Sequence, residues 1–350
     1  MDTIPLKRFF VSLLCPLLFS LSPQAAAEPV IAFPFGNYPY TLSIDAMGGM
    51  LWGQAEELVY IQGPEDTNYY TLSQLLWDIK PLFYAGFSLR YGLDNPLEKI
   101  GLFGELSINF GFSGTKTGRM EDRDWMAPNH QLSHFSQHFN ITQGAMFLDA
   151  GLGLSFPLVQ FMALSAGLQF SYMYFDWDAV DGYLQHATSS TSYAVWDESI
   201  PKKYHFGPSI SYSQTWFILA PKVSIYIPLA QTLFSFRLDF SIGPVLYMTA
   251  RDIHHAHFRG GLPADSEYID MIYSGLFLEP RGAFNFSPAD KIGLSLFIAW
   301  RYIQGSMGTT SSRSSAQSSN PNDGAFVETK TPPGAGFQAL NVGISLQLQF

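Results

Sequence analysis

The chain has 350 residues, of which 47% are hydrophobic, 16% aromatic and only 14% charged, with 30 glycines and a formal charge of −10. So acidic a chain is a poor partner for nucleic acid and a good one for cationic ligands. With a single cysteine, Cys15, it cannot build an internal disulfide framework, so backbone pairing and packing must hold it.

In chain order, Lys7 and Arg8 precede an apolar run over 9–21, followed by Ala25-Ala26-Ala27. This is the pattern of a cleavable secretory signal, expected over 1–27. The run is broken by Pro16 and falls short of the roughly 18 apolar residues that a membrane-spanning helix needs. Cys15 sits inside it and leaves with it. Loss of Asp2, Lys7 and Arg8 takes the formal charge to −11.

The rest of the chain, 28–350, alternates between apolar and polar residues in segments of strand length. Ten segments are predicted: about 40–59, 70–92, 99–115, 137–155, 159–176, 205–226, 232–250, 268–286, 291–304 and 337–350. In the third, even positions from Ile100 to Phe112 are apolar while Glu105, Ser107 and Asn109 take odd ones. In the seventh, Phe234, Phe236, Leu238, Phe240, Ile242 and Leu246 oppose Ser235, Arg237, Asp239 and Ser241. In the ninth, Ile292, Leu294, Leu296, Ile298, Trp300 and Tyr302 share a face opposite Gly293, Ser295 and Arg301. The tenth sets Leu340, Val342, Ile344, Leu346, Leu348 and Phe350 against Asn341, Gly343, Ser345, Gln347 and Gln349.

Charges confined to one face, with the other wholly apolar, point to a polar lumen inside and hydrocarbon outside. Short connections at 92–99, 156–160, 227–231 and 286–291 alternate with longer polar ones, as a barrel with periplasmic turns and outer loops requires. The expected fold is therefore all-β: a ten-stranded antiparallel transmembrane β-barrel, with Glu105, Arg237, Asp239 and Arg301 filling its lumen. Acidic and aromatic residues over 174–205, and the low-complexity stretch 305–336, are expected as outer loops. A terminal aromatic such as Phe350 also resembles the assembly signal of bacterial outer-membrane barrels.

Two polar clusters stand at the outer ends of strands. The stretch 118–126, GRMEDRDWM, ends the third strand, and 250–261, ARDIHHAHFRGG, ends the seventh, nearly across the mouth of a ten-stranded barrel. Asp122 and Asp124, and likewise Asp252 and His254, are spaced i and i+2, which puts each pair on one face of extended backbone. A carboxylate beside an imidazole fixes its tautomer and stabilises its protonated form. Two neighbouring aspartates repel when both are ionised, which favours sharing a proton or holding a water. Facing one another, the pairs can polarise a water between His254 and Asp122 for attack on a peptide carbonyl. Strict alternation, however, aims all four away from the lumen. A bulge must reset the phase in both strands, with Gly114 or Gly118 the expected place in the first. Glu57 faces the lumen without help.

These residues carry a resemblance. MEDRDWM is similar to the motif that holds the aspartate pair in the omptin family of outer-membrane proteases, and RDIH to the Asp-x-His of that family. EELVY followed by SQLLW resembles the family's first outer hairpin, FNITQGAMF its fourth strand and ISYSQ its sixth. The resemblance implies an outer-membrane endopeptidase of a diderm bacterium, its active site facing the exterior, that cleaves polypeptides beside basic residues without a metal. Asp252 and His254 would then be the dyad, Asp122 and Asp124 the water-holding pair, and Glu57 the acid at the floor of the pocket for a basic side chain. Where the family has a further acid, two positions before the dyad aspartate, this chain has Ala250, which weakens the expected pull on arginine or lysine. The resemblance further implies activation by outer-membrane lipopolysaccharide bound to basic rim residues, although no such residues are matched here.

Other readings of the same residues stay open from sequence. The acidic stretch 118–126 suits a solvated loop. His254, His255 and His257 beside Asp252 suit a loose zinc or copper set. Glu57 suits a lumen carboxylate paired with Arg237 or Arg301. A catalytically silent barrel acting as adhesin, receptor or small pore would need none of the site residues.

Overall fold

The computed structural model describes residues 31–32, 40–63, 68–93, 95–187, 193–229, 233–255, 265–289, 291–314 and 325–350. The expected signal segment 1–27, with Cys15, lies outside them, as does His257. Alternating apolar and polar residues extend the chain into β1 (Ile31–Ala32), β2 (Tyr40–Gln62), β3 (Tyr69–Leu93), β4 (Ile100–Gly111), β5 (Thr115–Asp124), β6 (His134–Val159), β7 (Met162–His186) and β8 (Lys203–Leu229). There follow β9 (Phe234–His254), β10 (Ser266–Ile272), β11 (Gly275–Ala289), β12 (Ile292–Gly305), β13 (Thr309–Ser314), β14 (Val327–Glu328) and β15 (Pro333–Gln349).

From β2 onward every long strand pairs antiparallel with its neighbours. β15 closes the ring by pairing with β2 on one side and β12 on the other. The third wall is split, β4 below and β5 above, both held between β3 and β6. The eighth wall is likewise β11 below and β10 above, both against β9. In the ninth, β12 pairs with β11 and β13 with β10. The ring thus has ten walls, in agreement with the sequence count.

The lipid belt is the outward half of that alternation. Leu340, Ile344, Leu346 and Leu348 of β15, and Leu294, Leu296, Ile298 and Trp300 of β12, are exposed because hydrocarbon is their partner. On the inward half, acids and bases fill the lower lumen in ion pairs. Glu105 meets both Lys222 and Arg237, Arg237 meets Asp239 at 2.7 Å, Arg301 bridges Asp149 and Glu279, and Arg90 reaches Asp45 at 3.0 Å. Arg237 and Arg301 are thus engaged with other acids, and neither is the partner of Glu57.

Two expectations about outer loops need correction. Strands of 21 to 27 residues in β2, β3 and β6 to β9 far exceed the roughly 9 to 11 that cross a bilayer. Their upper halves stand above the belt as a projecting collar. Accordingly β7 runs on to His186 through much of the segment expected as an outer loop, with Asp176 and Asp178 on its outward face. Within the stretch 305–336, Thr309–Ser314 is a strand paired with both β10 and β14, while 315–324 lies outside the described residues. Polar composition marks the water outside the collar, and backbone pairing continues regardless.

Between collar and lower lumen lies an aromatic floor. Trp77 stacks on Tyr212 with ring centres 5.2 Å apart, and Phe175 on Trp177 at 4.9 Å. Gln214 of β8 reaches across the barrel, its side-chain amide donating to the Glu56 carbonyl of β2 at 3.0 Å and to the Tyr212 hydroxyl at 2.9 Å. The mouth therefore rests on a floor of packed aromatic rings and the Gln214 amide.

Candidate active site

The phase problem of the sequence is solved at two places. In β5 the register against β6 shifts between Lys116 and Arg119. Gly118 sits there at φ +116°, and a Cβ added to it would lie 2.6 Å from the Asp78 Cβ. Only glycine takes this conformation and this close approach without strain. Thr117 faces inward before the shift and Met120 after it, and Asp122 and Asp124 follow Met120 into the mouth. In β9 the extra residue is Leu246: Tyr247 pairs with Phe217 and Val245 with Ile218. Beyond this bulge the even positions Met248, Ala250 and Asp252 are buried inside.

The charges of the 118–126 stretch are thereby sorted by face. Glu121 and Arg123 face outward and pair at 2.5 Å, Gln137 adds a hydrogen bond to Glu121 at 3.0 Å, and Arg119 contacts Gln137. Asp122 and Asp124 face inward, and Asp122 keeps a buried oxygen, Oδ1, without a hydrogen-bond partner. Ser73, directly opposite Asp124 on β3, hydrogen-bonds to the aspartate pair.

On the facing wall, His254 Nε2 and Asp252 Oδ2 are 2.6 Å apart. Asp252 is buried between Tyr212 and Tyr268 on the neighbouring strands, and its Oδ1 is unpartnered. The imidazole meets the edge of Tyr268, ring centres 5.6 Å apart. The rim crowds it, yet 44% of the His254 side chain is exposed, so solvent reaches it. Glu57, 3% exposed on β2, presents a buried Oε2 with no partner.

Groups on the facing walls also act on one another electrostatically. Burial alone would lower the His254 pKa, but the Asp252 carboxylate, by charge and hydrogen bond, and then Asp122 and Asp124 from the opposite wall, raise it to about 9. Asp122 is raised to about 8, by burial first and by Asp124 next, against the opposing pull of His254. Asp124 is raised by burial, while Ser73, His134 and His254 pull it down. Glu57 is held well above the usual carboxylate range by burial and by the charges of Asp252, Asp270 and Asp122.

All five residues singled out in the sequence thus meet in one mouth. Sequence reasoning missed Ser73, His134, Tyr212 and Asp270. Ser73 and Tyr212 lay inside the resembling stretches SQLLW and ISYSQ, so the signal was present. These stretches are cross-strand neighbours: SQLLW pairs residue for residue with MEDRD, and ISYSQ with ARDIH. Segments far apart in the chain are therefore one surface.

Fold and site together define a membrane-spanning barrel that carries a solvent-accessible acid and histidine mouth above the lipid. A model of the Omptin family matches residues 38–350, and the chain belongs to that family of outer-membrane proteases. The structure is similar to that of the outer-membrane protease OmpT from Escherichia coli, at a TM-score of 0.70 and 15% identity, covering 89% of this chain and 97% of that one. The toluene transporters TbuX of Ralstonia pickettii (TM-score 0.30, 9% identity, 90% of each chain) and TodX of Pseudomonas putida (TM-score 0.27, 8% identity, 88% and 90%) are more distantly similar. Comparison with curated proteins gives no match.

Proposed function

We propose that the protein is an endopeptidase that hydrolyses peptide bonds of cationic, surface-accessible polypeptides by means of a water held between His254 and the Asp122–Asp124 pair. With its Nε2 hydrogen donated to Asp252, the imidazole takes a proton from the water on Nδ1. The water oxygen bonds to the carbonyl carbon as Asp122 and Asp124 hold its second hydrogen. On collapse the C–N bond breaks, and the imidazolium returns the proton to the leaving amine. The Glu57 carboxyl receives a basic side chain next to the scissile bond.

The observation that carries this reading is a single imidazole locked to Asp252 at 2.6 Å while the charges of Asp122 and Asp124 act on it from the opposite wall. An imidazole with a pKa near 9 is mostly protonated at neutral pH, and the base is its neutral form. A cationic substrate side chain beside Glu57 offsets the surrounding acids and lowers that pKa, so a matching substrate itself frees the base.

Incubation of the refolded barrel with a mixed peptide library, with and without lipopolysaccharide, tests the proposal. Wild type should cleave beside Arg or Lys, as read by mass, and His254→Ala should not. Lipopolysaccharide, the activating lipid of this proposal, should raise the rate. Equal patterns for the two proteins under both conditions would leave a catalytically silent barrel.

A further inference from the structure

The acid missing at Ala250 has a counterpart across the ladder. β10 pairs with β9 so that Asp270 stands directly opposite Ala250. Directly opposed residues of an antiparallel pair project to the same face, their Cβ atoms about 4.5 to 5.5 Å apart. Ala250 is buried and carries only a methyl group, so the inward face at this level is shared by the Gln214 amide of β8 on one side and the Asp270 carboxyl of β10 on the other, of which only Asp270 brings an acid. Asp270 is 5% exposed, and one of its oxygens accepts a hydrogen bond from the Thr310 hydroxyl at 2.6 Å.

Asp270 is also electrically joined to the site. Its charge acts on Glu57, and that of Asp252 acts on both. Among the described residues no ion pair involves Glu57 or Asp270, in contrast to the acids of the lower lumen. The Glu57 Oε2, buried and unpartnered, is the second sign of a missing ligand. Two buried carboxyls without a base are held together at a cost that a guanidinium or ammonium group removes.

Resting on the peptidase reading above, we propose that Asp270 is a specificity-determining residue, which with Glu57 forms a two-carboxyl pocket for the arginine or lysine side chain beside the scissile bond. The acid is supplied from β10 in place of β9, on the same face and at the same level. Its nearness to Asp252 sets the bound residue's carbonyl beside His254.

Two readouts test this on the refolded full-length barrel. The first is the ratio of kcat/KM for a peptide with a single central arginine to that for its citrulline twin. The second is calorimetric binding of acetyl-arginine amide against acetyl-citrulline amide. Asp270→Asn should lower both arginine preferences about tenfold or more. Moving the acid back, in the double variant Ala250→Asp with Asp270→Ala, should restore the preference, which a merely structural role for Asp270 would not. Arginine and citrulline values that fall together, or an unchanged preference in Asp270→Asn, would overturn the inference. If acetyl-arginine amide binding follows Asp270 while no cleavage depends on His254, the pocket stands and the peptidase reading falls. If His254-dependent cleavage is intact and its arginine preference ignores Asp270, the peptidase stands and the pocket falls.

Discussion

The barrel buries charge in two places and treats it in opposite ways. In the lower lumen Glu105, Asp239, Asp149 and Asp45 each have a base: Lys222, Arg237, Arg301 and Arg90. In the mouth Glu57, Asp122, Asp124 and Asp270 have none among the described ion pairs, and Asp252 has only His254. A buried ion without a partner is costly, and breaking a buried pair costs several kcal/mol. The lower network fills the lumen with mutually neutralised side chains. The mouth bears an electrostatic cost that, under the proposed function, a water and a cationic substrate would relieve.

Removing the chemistry should break the contrast most sharply. His254→Ala and Asp122→Ala should each lower kcat/KM by about a thousandfold or more, roughly 4 kcal/mol at about 1.36 per decade, with unchanged unfolding in lipid or detergent. Next in size, Glu105→Gln in the lower lumen should destabilise the barrel by about 3 to 5 kcal/mol in denaturant unfolding, because it leaves Lys222 and Arg237 short of an acid. The same substitution in the mouth should have the opposite sign. Glu57→Gln should stabilise the protein by on the order of 2 kcal/mol at pH 8 while weakening cleavage beside basic residues. The sign follows from the raised folded-state pKa of Glu57. Ionisation then costs the folded state nothing below the unfolded value near 4.3 and progressively more as pH rises above it, so the gain should fade towards pH 4.

Much of this was legible in the sequence because hydrocarbon enforces a period of two. Leu340 to Leu348 and Ile292 to Trp300 announce their strands, and ten such segments close a ring. The site was legible where a motif was dense, as at Asp122 and Asp124, and where the paired residues lay two apart, as at Asp252 and His254. Gly114 and Gly118 marked the region of the first phase reset, since a positive φ calls for glycine, and the structure puts the register shift at Gly118. Leu246 gave no sign of the second, because an apolar residue in a bulge reads like any other in a strand. Asp270 was hidden for a different reason. Its proposed role depends on which residue of β9 it faces, and although β10 and β11 hold one register against β9 across the break between Ile272 and Gly275, that register is not written in either segment alone. The upper end of β7 and the strand 309–314 were expected as loops because their composition turns polar, although backbone pairing runs on.

The central claim is that acids on two opposed walls act on one imidazole. The pH titration of the His254 ring protons by NMR, in wild type and in Asp122→Asn, tests it most directly. The account predicts a wild-type midpoint near 9, and a lower one in the variant, since a negative charge favouring the imidazolium has been removed. A wild-type midpoint near the ordinary 6.5, or one that Asp122→Asn leaves unmoved, would contradict it.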